Sequence, residues 1–279
     1  MELLWLDPNY AALLYESGLR QFEDFMNAHR ARVIRRRQNG TRSVALLRIG
    51  PLTTYLKREH RIAYKERFRN WWDGYGAVGK SLREWRLLRK ALQAGFCVPR
   101  PLACGQQGRR AFLLTLELED FVPLDKYLAG ASAKELKLLS SRLPRWLARW
   151  HAAGFMHPDL YAWHVFIRVT DQEIAVLDLA RADQVEEVPW PERWRELALL
   201  GVSLREQEEL VASWEQILDS YLNAVSALEA RLVLEPRSLV KGAVYRRMQR
   251  WTKWVARRQQ EEEECRVVLD RELYARKPR

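Results

Sequence analysis

The chain has 279 residues, the length of one or two domains. Hydrophobic residues at 48% and aromatics at 11% exclude a wholly disordered chain. Lys and Arg number 47 against 36 Asp and Glu, and the resulting +11 favours an anionic partner: nucleic acid, a phosphate-bearing substrate or an acidic membrane surface.

The positive charge is unevenly spread. Residues 30–69 hold 13 Lys/Arg against two acids, Glu59 and Glu66, and residues 237–279 hold 13 against six. The first of these segments reads as extended chain. Residues 32–37 lead into Asn39-Gly40, a strong hairpin signal. Residues 43–49 follow, then the turn Gly50-Pro51, then a third β-rich run over 53–57. The expectation is an antiparallel meander.

Gly74-Tyr-Gly-Ala-Val-Gly-Lys80-Ser81 matches G-x-x-x-x-G-K-S, the phosphate loop of one NTPase class. Context argues against that function. Such a loop follows a buried parallel strand, whereas residues 66–73 are polar and hairpin-like strands come first. The spacing instead predicts a helix over 81–94. Ser81 would be its N-cap, with Glu84 completing a capping box. Leu82, Trp85, Leu88 and Leu92 form its stripe, and Gly95 ends it. Residues 111–118 read as a further strand, and Pro123 breaks before a short helix. From Ala133 the pattern is mostly helical, with Leu136, Leu139, Leu143, Leu147 and Trp150 at helical spacing up to Gly154. Residues 174–178 read as a strand, and Trp190 onward is helix-forming.

The stretch His157-Pro-Asp159-Leu-Tyr-Ala-Trp-His164 is the most informative feature. Asp178 follows 19 residues after Asp159, at the end of an apolar strand. A protein-kinase-like centre uses H-x-D-x-x-x-x-N to orient an acceptor hydroxyl, and a later strand-ending Asp to hold metal. Phosphoryl transfer requires little more: a carboxylate for the attacking hydroxyl and cations on the triphosphate. A hard Mg²⁺ wants oxygen, which Asp178 supplies. Upstream, Lys57 lies on the third strand, where it can reach the α/β phosphates. Glu84 lies on the first long helix, where it can pair with Lys57.

With Tyr55-Leu-Lys-Arg-Glu59, Arg83-Glu-Trp-Arg-Leu-Leu88, Val98-Pro-Arg-Pro101, the His157–His164 stretch and Leu177-Asp-Leu-Ala-Arg181, the chain resembles the lipopolysaccharide inner-core (heptose/Kdo) kinases, a WaaP/InaA-like group distantly related to protein kinases. The resemblance spans about residues 31–200. It implies transfer of the ATP γ-phosphate to a core sugar hydroxyl, typically of a heptose. Asp159 would be the base, Asp178 the metal ligand and Lys57 the phosphate-binding lysine. His157 and Arg181 join Asp159 in the catalytic set. Glu84, Thr41, Arg42, Glu117, Leu118 and His164 join Lys57 around ATP, with adenine against the connector at 117–119.

The sequence also departs from the protein-kinase pattern. Pro158 replaces the usual arginine, and Asp178-Leu-Ala replaces D-F-G. The loop at 38–42 has one glycine, so Thr41 or Arg42 is the expected substitute for a glycine-rich phosphate cradle. His164 is a poor Mg²⁺ ligand, which turns it toward Asp159 or a phosphate.

Cys97, Cys104 and Cys265 form no C-x-x-C pair, which argues against a disulfide-stapled secreted domain. Pairing Cys97 and Cys104 with His157 and His164 gives spacings that match no common zinc module. Glu2 and Asp7 stand where a secretory signal would be basic, and no apolar run nears the roughly 20 residues of a membrane span. Val240, Val244, Met248, Trp251 and Val255 line one helical face, with Arg246, Arg247, Arg250, Lys253, Arg257 and Arg258 covering much of the rest. That helix suits an anionic bilayer surface, or it packs on its own domain with a solvated basic face. Nucleic acid is disfavoured because no recognition fold appears.

The fold expected is α+β and two-lobed, protein-kinase-like. Residues 1–119 would form a small antiparallel-sheet lobe with one helix, and residues 120–279 a larger helical lobe, with ATP and Mg²⁺ between them. The acceptor would be a lipid-linked anionic oligosaccharide, and the protein cytoplasmic and peripheral at the inner face of the inner membrane.

Overall fold

The computed structural model describes residues 2–36, 40–204, 214–229 and 236–274, with side chains placed up to Glu261. Part of the hairpin loop expected at 38–42 lies outside the described residues. The chain divides into one compact unit of residues 1–118 with 264–279, and a second of residues 119–263.

The first unit is built on a six-stranded sheet in the order β1-β5-β6-β4-β3-β2, antiparallel between every pair of neighbours. Its strands are β1 (Glu2–Leu6), β2 (Arg32–Arg36), β3 (Arg42–Ile49), β4 (Leu52–Glu59), β5 (Pro101–Gln107) and β6 (Arg110–Leu116). The meander is β2 to β4, as the turn signals required. Two strands were not anticipated. β1 lacks a bounding hairpin signal, and β5 begins at Pro101, which reads as a breaker but is tolerated at a strand's first residue.

Both faces of this sheet are covered. On one, α1 (Ala11–Glu16), α2 (Phe22–Met26) and the turn between them contribute Leu14, Leu19, Phe22, Phe25 and Met26 to a core with Leu47, Leu56, Phe112 and Leu114. On the other lies α4 (Lys80–Gln93), burying Leu82, Leu87, Leu88 and Ala91. A sheet covered twice needs no polar face, so the central β5 and β6 are buried almost throughout. The unit therefore holds more helix than the single one expected, including α3 (Tyr64–Trp72).

The second unit begins with the short β7 (Phe121–Pro123) and α5 (Leu124–Ala129). Then comes α6 (Ala133–Ala152), opened by a Ser132–Glu135 capping box and burying Leu139, Leu143, Leu147 and Trp150. β8 (Phe155–Met156) pairs with β11 (Asp183–Gln184). β9 (Val165–Arg168) pairs with both β7 and β10 (Ile174–Val176). Helices α7 (Trp190–Ser203), α8 (Trp214–Leu228) and α9 (Arg237–Tyr274) follow.

Gly154 joins α6 to β8 at φ +79°, and a Cβ there would sit 1.9 Å from the Val185 carbonyl oxygen. Gly154→Ala combines left-handed strain with overpacking against backbone, and should cost about 2–4 kcal/mol. Chemical denaturation of the variant measures it.

The apolar stripe of α9 is packed on its own unit. Val255, Met248 and Trp251 pack with Tyr161, Trp163, Leu199 and Val202. The stripe is therefore core, and of the two readings of this helix the structure selects the packed one with a solvated basic face.

Candidate active site

In a strand, side chains alternate between faces. On β4 this sends Leu56 and Arg58 toward α1 and α2, where the Arg58 guanidinium donates to the Phe25 and Ala28 carbonyls at 2.9 and 3.2 Å. Tyr55, Lys57 and Glu59 then face α4. Lys57 Nζ donates to Glu84 Oε1 at 2.6 Å, with Glu84 buried and Lys57 about a quarter exposed. The predicted pair is thus made, and its ammonium is held in place by a buried carboxylate.

Tyr55 Oη donates to Glu117 Oε1 at 3.0 Å, and the Glu117 amide donates to the Thr53 carbonyl at 3.0 Å. The connector bearing Glu117 and Leu118, both half-buried, is therefore tied to β4. Burial and the facing Glu117 carboxylate push the Tyr55 hydroxyl well above its ordinary range. Sequence reasoning did not find this tie, because residues 62 apart meet only through the β4–β6 pairing.

The Gly79-Lys80-Ser81 segment opens α4, but its N-terminus is filled from within. Ser81 N donates to Glu59 Oε1 at 2.7 Å and Gly79 N to Gln106 Oε1 at 2.9 Å. Gly79, not Ser81, is the N-cap. A carboxylate already accepts where an NTPase loop would place phosphate, and the segment follows a helix rather than a strand. Burial pushes the Glu59 carboxyl above the ordinary carboxylate range, while Arg42 and the Ser81 amide pull it back.

Arg42 is spent on this cluster. Its guanidinium donates to Glu59 at 3.1 Å and also to Glu66. The neighbouring Thr41 carbonyl accepts from the His60 amide at 2.9 Å. Arg42→Ala should lower stability by about 1–3 kcal/mol, because a buried acceptor loses its partner, and leave nucleotide affinity unchanged. Thermal melting and a nucleotide titration together test this.

In the second unit, His157 is fully buried. Its Nδ1 accepts from the Asp159 amide at 3.2 Å, so the ring proton lies on Nε2, which donates to the Leu177 carbonyl at 3.0 Å. One ring thereby joins the backbone of Asp159 to the residue before Asp178. His164 Nδ1 donates to the Asp159 carbonyl at 2.7 Å. One terminal nitrogen of Arg181 spans both carboxylate oxygens of Asp159 at 2.8 Å each. Asp178, two residues beyond β10, has φ 58° and ψ 55°, the left-handed conformation, which among non-glycine residues Asp and Asn adopt most readily.

Behind this loop lies a polar chain that the sequence pattern did not reveal. The fully buried Glu196 on α7 accepts from the His157 amide at 2.7 Å through Oε1. Its Oε2 meets His151 Nε2 at 3.1 Å. The assignment that satisfies every partner has Nε2 donating to Glu196 and Nδ1 accepting from the Tyr221 hydroxyl at 2.7 Å. Tyr221 in turn accepts from Arg193 at 3.4 Å, and Arg193 makes two bonds to Glu229, at 2.7 and 2.6 Å. Ser203 Oγ accepts from the Ala162 amide at 2.8 Å. Arg193 and Glu196 sit among Glu192 and Arg195 in the charged first half of α7, and helical periodicity alone reads them as surface.

A sequence profile described as the lipopolysaccharide kinase (Kdo/WaaP) family matches residues 26–221, well over half the chain. The chain belongs to that family. Among curated proteins, this Kdo/WaaP-family chain is similar to the lipopolysaccharide core heptose(I) kinase WaaP of Escherichia coli, at 27% identity over 136 residues. That match covers 43% of the chain and 51% of the relative, so it spans about half the relative's length. A solved structure of WaaP in complex with acyl carrier protein superposes with a TM-score of 0.67 at 19% identity, over 91% of this chain and 99% of that one. That likeness shows the fold, which is α+β and protein-kinase-like as the sequence led one to expect.

No group of three or more His, Cys, Asp or Glu in metal-binding geometry occurs among the described residues, and Cys104 is buried with its thiol donating to the Ser81 carbonyl at 3.8 Å. Among the described residues no helix is long and apolar enough to cross a membrane.

Proposed function

We propose that the chain transfers the γ-phosphate of ATP to a sugar hydroxyl, that of a heptose, in the lipopolysaccharide inner core. The observation that carries this reading is the state of Asp159. His157, His164 and Arg181 fix its backbone and carboxylate, yet the side chain stays 21% exposed. A fixed, accessible carboxylate is what an attacking hydroxyl requires.

Asp159 orients the acceptor hydroxyl and takes its proton as oxygen attacks the γ-phosphorus. The bond between that phosphorus and the bridging oxygen to the β-phosphate breaks, and ADP leaves. Lys57, held by Glu84, neutralises the α/β phosphates, and the backbone at Glu117 and Leu118 receives adenine. His157 is a positioning residue, since both its ring nitrogens are bonded to backbone, one to the Asp159 amide and one to the Leu177 carbonyl. Arg181 and His164 position Asp159 as well. Thr41 and Arg42 shape the loop.

The donor set fits Mg²⁺. Asp178 offers carboxylate oxygen, and Mg²⁺ is typically bound through one or two carboxylates, with substrate phosphates and water supplying the rest. When bound, the ion would neutralise charge on the transferring phosphoryl group. Its ligand here would be Asp178, with His164 directed to the Asp159 carbonyl instead.

The acceptor is lipid-linked and anionic, which places the reaction at a membrane surface on the cytoplasmic side. Labelled ATP incubated with heptose-containing core, Kdo-only core, a generic protein or no acceptor tests the proposal. Label in heptose is the expected result. Label only in Kdo would reassign the sugar, and label in protein or nowhere would overturn the reading. In the same assay Lys57→Met should cost about 10²–10³ in turnover, the usual loss of one preorganised charge partner.

A further inference from the structure

Helix α3 is inverted. Tyr64, Phe68, Trp71 and Trp72 recur at i, i+4, i+7 and i+8, the spacing of a core stripe, yet they are 70%, 62%, 58% and 75% exposed. The buried residue is polar: Asn70, whose side chain donates to the Val78 carbonyl at 2.7 Å and accepts from Arg83 at 3.3 Å. The helix is thus pinned through a polar anchor while its rings face outward. Phe68 lies 5.9 and 6.4 Å from Trp71 and Trp72, so the rings form one patch.

The charges around the patch are sorted as well. Glu66 and Asp73 are turned to Arg42 and Arg83 of the same unit. Arg61, Lys65 and Arg69 are exposed beside the rings. Arg109 lies 4.2 Å over the Tyr64 ring. The patch sits in the segment 30–69 with its 13 Lys/Arg against two acids. Trp and Tyr favour the headgroup level of a bilayer, Phe the adjoining acyl boundary, and Lys/Arg the anionic headgroups.

We propose that α3 is the element with which this protein docks on an anionic bilayer. Its four rings enter the headgroup boundary, and Arg61, Lys65 and Arg69 meet the lipid phosphates. The occupant is a lipid surface because four exposed rings share one helix face beside exposed Arg61, Lys65 and Arg69, while Glu66 and Asp73 are paired within the unit. The reaction proposed above, on a membrane-borne acceptor, gives this surface its use; the binding itself is measured without any reaction.

The full chain is sedimented with vesicles of phosphatidylethanolamine and phosphatidylglycerol, and with phosphatidylcholine alone. The expected result is preferential binding to the anionic vesicles, weakened by salt. Phe68→Ala with Trp71→Ala and Trp72→Ala should lose at least about tenfold in partitioning. Lys65→Glu with Arg69→Glu, which removes no ring, should lose the preference for anionic lipid. Unchanged circular dichroism and melting midpoint are expected, since these side chains are exposed, and so is unchanged phosphorylation of a lipid-free core oligosaccharide. Parent-like partitioning of both variants would overturn the proposal. So would loss of acyl carrier protein capture with vesicle binding intact, which would make the face a protein-docking surface. Failure of phosphoryl transfer with α3-dependent vesicle binding retained would sink the proposed reaction and leave this surface standing.

Discussion

Asp159→Ala is expected to lose about 10²–10⁴ in turnover, the contribution of a positioned base, while binding ATP nearly as tightly as the parent. The structure makes that separation reasonable. The Asp159 carboxylate has its recorded partner in Arg181, and its backbone carries the bonds to His157 and His164. Truncation therefore removes the carboxylate without dismantling the loop. Asp159→Asn keeps size and most hydrogen bonding but cannot accept the proton, so it should fall nearly as far. Single-turnover transfer from labelled ATP, paired with calorimetric nucleotide binding, is the measurement. Parent-like turnover in either variant would remove Asp159 from its role, and parallel loss of ATP affinity would assign it to nucleotide binding instead.

Glu196→Ala should be the most damaging change outside the reacting groups. Both carboxylate oxygens are used, one by the His157 amide and one by His151, and the side chain is fully buried. Removing it strands two buried donors in a network that cannot reach water. Breaking a buried polar network from one side typically costs about 3–5 kcal/mol, a fall of roughly 6–20 °C in melting midpoint for a domain of this size. Because His157 holds both Asp159 and the residue before Asp178, turnover should fall as well. Glu196→Gln provides the control. Its amide oxygen can still accept from the His157 amide, and its amide nitrogen can donate to His151 if that ring exchanges its proton to Nδ1. It should therefore recover most of the stability, with turnover following. A Gln variant as unstable as the Ala variant would show that charge, not hydrogen bonding, holds the loop.

The proposed catalytic groups could be picked out of the sequence because phosphoryl-transfer chemistry demands particular residues at particular distances along the chain. Asp159, Asp178 and the His157–His164 loop lie within one short stretch, and Lys57 and Glu84 fall on a strand and a helix in the expected order. Alternation along β4 is enough to face Lys57 toward one side of the sheet. Features made by long-range contact were not legible. Arg42 reads as a phosphate ligand until β3 and β4 pair and bring Glu59 to it. The glycine-rich run before α4 matches a phosphate-loop pattern that its sequence context already disfavoured, but that Glu59 fills its N-terminus is visible only in the fold. The stripe of α9 leaves both a membrane face and a packed core face open until Tyr161 and Trp163 are found against it.

The sequence by itself therefore determined most of the local elements and the family, and it nominated the proposed reacting groups, since periodicity, turn chemistry and motif spacing are short-range and survive without a fold. Only the tertiary structure decided which charges are spent inside the protein and which apolar faces are covered. Burial is a property of what packs against a residue, so α9, with its basic amphipathic pattern, became core, and the short polar-looking α3 became the exposed aromatic surface.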